Sequence, residues 1–217
     1  MTKSIHIDLF TDVVCPWCLI GTARLDQALA ALDPDVKVDI THHPFLLDPS
    51  TPKEGQNTRE RLAAKYGGDI EAMQARVEQA AHAAGVPLDL SVQSMSYPTI
   101  DAHTLIRLAP PEHQYGLAKA YAAAYFLKGE NITEHGLLAD IAAEHGHARE
   151  DALALLADEN ERNTTQAMAL SASQQGINGV PFFIFNNQFA ISGGQPPEVF
   201  ARAFRVALGE EELPQRA

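Results

Sequence analysis

A short alternating run that empties into Cys15-Pro16-Trp17-Cys18 constrains this chain more than any other feature. Ile5, Ile7 and Leu9 alternate with His6 and Asp8, the period of a half-buried strand, and the residues after Cys15 read as a helix through about Leu32. A strand turning tightly into a helix places Cys15 at the helix N-terminus, where unpaired backbone N–H groups and the helix dipole favour negative charge. For cysteine that charge is the thiolate, the form that attacks. Pro16 falls at the first helical position, where a missing N–H costs nothing and a preset φ suits the helix. Their spacing puts both sulfurs on one side of the first turn, where they can close a small-ring disulfide. Cys18 also shares a line with Leu25, Leu29 and Leu32, the buried stripe of an amphipathic helix. Cys15 is therefore expected to be the accessible attacking thiol and Cys18 the shielded thiol that resolves.

These are the only two cysteines in 217 residues. A zinc site would need a second CxxC or a pair of histidines three to five residues apart as partners, and the nine histidines show no such pairing. A purely structural disulfide over so short a loop would constrain the unfolded chain little. A redox dithiol is the reading that remains. The net charge of −12 without a Lys/Arg run argues against nucleic acid and anionic membrane as partners. No stretch approaches the length of a membrane span. Met1-Thr2-Lys3-Ser4 leads directly into the first strand without the apolar core of a secretory signal, so the expected location is the cytoplasm. In that reducing compartment, two cysteines point to catalysis rather than bridging.

After Asp33-Pro34-Asp35, Val36, Val38 and Ile40 alternate as a second strand running to about His43, giving a right-handed βαβ unit with parallel strands. From Pro44 the signal becomes helical. Met73, Val77, Ala80, Ala81 and Ala84 form one stripe, and Ala102, Leu105, Ile106 and Ala109 form another that Pro110-Pro111 halts. A third stripe, including Leu117, Tyr121 and Tyr125, ends near Gly129; Thr133 is placed to cap a fourth helix, and two more fit between Ala148 and Gln175. Phe182 to Phe185 is a continuous apolar run fit for a buried strand, Asn186-Asn187 a turn, Phe189 to Ile191 a strand, and Pro196-Pro197 the start of a last helix. The fold class is α/β, with βαβ at one end and ββα at the other. Residues 1–47 and 176–210 form one domain around an all-helical insertion, 48–175.

The whole pattern resembles the thioredoxin fold as elaborated in the DsbA family, most of all its FrnE-type cytoplasmic branch. The matching residues are Asp12 to Cys18, Gly21, His43-Pro44-Phe45, Lys65-Tyr66-Gly67, Ala102-His103, Ala124-Tyr125-Phe126, Gly176 through Phe183, and Ser192-Gly193-Gly194-Gln195. The resemblance implies a cis bond before Pro181, opposite the cysteines, with Val180 offering its backbone to an extended substrate peptide. Periplasmic members often carry histidine before the second cysteine; here Trp17 stands there and Asp12 lies upstream. The Cys15 thiol is thus expected below the free value of about 8.5, but by less than in DsbA, making a less oxidising couple.

The resemblance implies thiol–disulfide exchange with protein or peptide substrates. Pro16, Trp17, Val180 and Pro181 would frame the groove, and His103 is a further candidate if it faces the cleft. No dissociable cofactor or metal is expected, and glutathione is a candidate co-substrate. Two alternatives stand beside this reading. One is the related glutathione-dependent transferases and 2-hydroxychromene-2-carboxylate isomerases, whose motif typically begins with serine; the other is a peptide-binding, chaperone-like module. Glu144-His145 and His147 are expected to be solvated.

Overall fold

The computed structural model describes residues 3–212. Strand β1 (Ser4–Thr11) turns into helix α1 (Pro16–Ala30), which returns through β2 (Lys37–Pro44). The middle of the chain holds β3 (Gln56–Asn57), α2 (Thr58–Tyr66), α3 (Ile70–Ala83), β4 (Met95–Ser96), α4 (Ile100–Leu108), α5 (Pro111–Lys128), α6 (His135–Ala143), α7 (Arg149–Leu156) and α8 (Glu159–Gln174). Strands β5 (Phe182–Phe185) and β6 (Phe189–Ser192) and helix α9 (Pro197–Ala207) close the fold.

The main sheet has the order β2-β1-β5-β6. Central β1 runs parallel to β2, opposing Ile5 to Val38 and Ile7 to Ile40, and antiparallel to β5, opposing Leu9 to Phe183 and Ile7 to Phe185. The even-numbered pleat of side chains faces the other way, so Ile5, Ile7 and Leu9 pack under α1 and α9 with Leu25, Ala28, Phe200 and Phe204. The apolar run Phe182 to Phe185 is buried on one side only: Phe183 and Phe185 point into this core, while Phe182 and Ile184 stay partly exposed. Asn186 and Asn187 both take positive φ (49° and 56°), the pair of left-handed residues that a tight I′-type turn requires, and the Gln188 N–H closes it on the Phe185 carbonyl.

A second core lies within the helical segment, built from Val77, Ala81, Leu105, Ile106, Tyr121 and Leu138. Val13, Leu19 and Ile20, from the turn before α1 and its first turns, belong to it. Helix α1 is therefore shared: one face packs on the sheet and another on the helices.

Several local expectations change. Helix α1 stops at Ala30, because the Leu32 N–H turns back onto the Leu29 carbonyl in a tightened last turn. Thr133 does not cap α6: the N-cap is Glu134, and Asn131 Oδ1 instead takes both the Thr133 N–H and hydroxyl. Helix α2 buries no residue, so it carries no apolar stripe; its start is set by Asn57, whose side chain accepts the Glu60 N–H. His145 and His147 are half-buried rather than solvated, His147 Nε2 lying 2.9 Å from the Leu105 carbonyl.

Candidate active site

Cys15 is the N-cap of α1, with extended backbone (φ −94°, ψ 112°), and Pro16 opens the helix. The Cys15 carbonyl accepts the N–H groups of Cys18 and Leu19, at 3.0 and 3.2 Å, and its own N–H donates to Asp12 O. The first turn contains no acidic residue. Both cysteines are free thiols. Burial first, then a hydrogen bond and charge from Cys15, push the Cys18 thiol well above its ordinary value, the Asp12 carboxylate adding to the rise while the Asp12 backbone opposes it.

The expectation of an accessible Cys15 needs correction. It is 4% exposed, hardly more than Cys18 at 3%. The reason lies 165 residues along the chain: Cys15 Sγ–H points at the Val180 carbonyl, 3.6 Å away, so the loop before β5 covers the sulfur. Any group that is to touch the Cys15 sulfur has to displace that contact.

The Val180–Pro181 peptide bond is cis. Pro181 is buried and its ring lies against α1 at Gly21, where a Cβ would come within 2.7 Å of Pro181 Cγ and 3.3 Å of Gly194 Cα. Only glycine lets the helix and this loop approach so closely. Gly193 N–H donates to the Pro181 carbonyl at 2.8 Å, and the Arg24 guanidinium bonds the Gly194 carbonyl, tying the second loop to the first. At the surface Trp17 is 40% exposed, while Pro16 and Val180 are half-buried. The structure thus gathers Cys15, Cys18, Pro16, Trp17, Val180 and Pro181 around one helix terminus.

His103 is not part of that surface. It is 1% exposed, on α4, behind the cysteines rather than in the groove, because α4 packs its face into the helical core. Its Nε2 lies 3.4 Å from Oδ1 of Asp12, itself 1% exposed. Sequence reasoning took Asp12 only as an opposing charge; a carboxylate directly before an apolar Val13-Val14 and a helix start was the available signal that it is buried. Among the described residues, no group of three or more His, Cys, Asp or Glu side chains is placed to hold a metal ion, and no helix is long and apolar enough to cross a membrane.

A parallel βαβ unit joined to an antiparallel ββα, with a dithiol at the first helix start facing a buried proline loop, is the plan of a thioredoxin-fold protein. The family follows from comparison: the DSBA-like thioredoxin domain model matches residues 6–205, and the chain belongs to that family. It is similar to a probable DsbA oxidoreductase from Streptomyces coelicolor, with 31% identity, coverage of 98% of this chain and 94% of that one, and a TM-score of 0.82. Two more distant structures share the fold. One is a 2-hydroxychromene-2-carboxylate isomerase (13% identity, 95% and 100% coverage, TM-score 0.69). The other is the cytosolic disulfide reductase DsbM from Pseudomonas aeruginosa with GSH (16% identity, 94% and 98% coverage, TM-score 0.62). The chain thus has a DsbA-like oxidoreductase fold with a helical insertion.

Proposed function

We propose that this protein exchanges disulfides with protein or peptide thiols through the Cys15–Cys18 dithiol. The observation that carries this reading is the position of Cys15 Sγ, at the N-cap of α1 and against the Val180 carbonyl that precedes the cis-proline. A peptide lying extended along that loop would pair with the Val180 backbone and bring its own sulfur to Cys15. In the reducing direction, the Cys15 thiolate attacks a substrate disulfide, one substrate sulfur leaves as a thiolate, and a mixed disulfide remains. Cys18 then attacks Cys15, releasing the second substrate thiol and closing the Cys15–Cys18 disulfide. The oxidising direction is the reverse.

Trp17 and Pro16 would form one wall of the groove, and Val180 and Pro181 the other. No dissociable cofactor enters the cycle. Glutathione is the proposed small-molecule reductant, a choice supported by the fold shared with DsbM, whose structure carries GSH. With Trp17 in place of a cation, the couple is proposed to be less oxidising than DsbA's value of about −120 mV, which suits work in the cytoplasm.

The isomerase fold likeness supports one other reading, in which the first motif residue holds glutathione without forming a disulfide. Insulin reduction separates the two. Turnover that vanishes in Cys15→Ser, with a mixed disulfide trapped in Cys18→Ser, is the expected result. Activity on a chromene substrate that survives in Cys15→Ser would overturn the exchange reading.

A further inference from the structure

The segment that leads into the proline loop holds chemistry that the exchange cycle leaves unused. Of the seven asparagines in the chain, only Asn178 is followed by glycine. Several of the others are held by their side chains. Asn57 accepts the Glu60 N–H, Asn131 takes the Thr133 N–H and hydroxyl, and Asn186 accepts the His6 N–H and donates to the Ala207 carbonyl. Asn160 and Asn163 sit inside α8, and the N–H after Asn187 is bonded to the Phe185 carbonyl. Asn178 is exposed, and among the described residues neither its side chain nor the Gly179 N–H makes a hydrogen bond. A Cβ placed on Gly179 would meet nothing within 4 Å, so nothing crowds its nitrogen. Without a side chain, that nitrogen can swing toward the Asn178 amide.

The segment is also fixed at both ends. Upstream, Gly176 takes the left-handed turn after α8 (φ 92°), and the Ile177 N–H returns to the Ala172 carbonyl at 3.2 Å. Ile177 is 5% exposed and packs with Ala172 and Phe45. Downstream, Pro181 is held by its ring against Gly21 and by its carbonyl on the Gly193 N–H. Asn178, Gly179 and Val180 alone bridge these anchors, and the Val180 carbonyl is the cover on Cys15 Sγ, 3.6 Å away. Any change in backbone length there has to be absorbed at the cover.

We propose that Asn178–Gly179 is a self-modification site, where conversion of Asn178 to isoaspartate displaces Val180 from Cys15 and shuts down exchange. The consequence rests on the exchange reading; the chemistry does not.

The Gly179 nitrogen attacks Cγ of Asn178 and gives up its proton to water, while the side-chain amide leaves as ammonia. A five-membered succinimide joins residues 178 and 179. Water then opens the ring. Breaking the bond from the Gly179 nitrogen to the main-chain carbonyl leaves the chain running through Cβ and Cγ, with the old main-chain carbonyl as a free carboxylate. The sum is one water consumed and one ammonia released, with nothing oxidised or reduced. The backbone gains one carbon, a bond of about 1.5 Å, within a bridge that has no slack at either anchor. The new carboxylate lies at an exposed position where salt screens it, so the added length does the damage.

The test is to age the reduced full chain at mildly alkaline pH. Peptide mass spectrometry counts conversion at each asparagine, isoaspartyl methyltransferase labels the isoaspartate, and insulin turbidity reads turnover at the same time points. Asn178 should convert ahead of every other asparagine, and turnover should fall in step with its isoaspartate fraction. Gly179→Ala fits the open space without a left-handed φ, so fresh turnover should hold while conversion and loss both slow severalfold. Fresh Asn178→Asp, which adds the charge without the extra carbon, should turn over like wild type. Prolonged treatment of aged protein with the methyltransferase and S-adenosylmethionine, which returns isoaspartate to aspartate, should restore turnover. An Asn178 that outlasts the other asparagines, or converted protein with undiminished turnover, overturns the proposal. So does a loss that neither Gly179→Ala slows nor the methyltransferase reverses, and Asn178→Asp as slow as aged protein overturns the role of backbone length. Fresh wild type that reduces no insulin would instead overturn the exchange function, and conversion at Asn178, read by mass alone, would still decide the modification.

Discussion

Replacing Gly21 by alanine tests whether the contact between α1 and the proline loop is as tight as the packing says. In an open helix position, Gly→Ala gains about 0.5–1 kcal/mol, because glycine loses more backbone freedom on folding. At Gly21 the new methyl would sit 2.7 Å from Pro181 Cγ and 3.5 Å from Pro181 Cβ. An ordinary carbon–carbon contact is about 3.5–4.0 Å, so the first of these is short by roughly 1 Å. The obstacle is a proline ring rather than the end of a flexible side chain, and Gly194 Cα blocks a second direction at 3.3 Å. Overpacking of this kind costs about 1–3 kcal/mol, which outweighs the helix gain and leaves a net loss of about 1–2 kcal/mol. For a chain of this length that lowers Tm by about 3–6 °C. The loop that yields is the one covering Cys15, so insulin reduction should fall along with stability. Gly136→Ala on α6 is the control. Its nearest neighbour would be Arg149 Nη2 at 3.9 Å, and the change should be neutral or raise Tm slightly. Calorimetry and an insulin turbidity assay read both variants. A Gly21→Ala protein as stable as Gly136→Ala, with undiminished turnover, would refute the close-packing argument.

Two pH effects follow from burial. Cys18 is held neutral in the folded state with its pKa raised, so its contribution to stability is complete below the unfolded thiol value of about 8.5 and is lost as pH rises toward the folded value. Urea unfolding of the reduced protein between pH 8 and 10 should show this decline, and Cys18→Ala should flatten it. His42 titrates in the opposite sense. Burial first, then the neighbouring His103 and His43, lower its pKa, so its contribution is present above the unfolded value of about 6.5 and is lost as pH falls below it. Unfolding midpoints between pH 7 and 5 should drop more steeply in wild type than in His42→Gln.

The parts of the fold that were legible in the sequence are those that one periodicity or one punctuating residue determines. Ile5, Ile7 and Leu9 declared a strand by alternation, Pro16 and Pro197 opened helices at their first turns, and Asn186-Asn187 announced a turn that needs two left-handed residues. Helix α2 left no stripe because nothing on it is buried, and β3 and β4, two residues each, are too short for any pattern. The dithiol itself was plain, but its cover was not. Cys15 is shielded by Val180, and Asp12 meets His103 across 91 positions, and neither contact leaves a local signature. Long-range pairing of that kind is decided by how the sheet and the helices are brought together. Pattern along the chain says little about it.

Because α1 is shared between two cores, the helical segment is no detachable ornament. Cutting it away would uncover Val13, Leu19 and Ile20 beside the cysteines, an oily strip that invites aggregation or a stranger's helix. An engineer who wants a smaller oxidoreductase should keep α3 to α7 together, because Leu138 and Ala142 of α6 and Ala152 and Leu156 of α7 are buried in the same core that grips the reactive helix. By the same token, any push that sulfur bonding gives α1 is delivered to both halves at once.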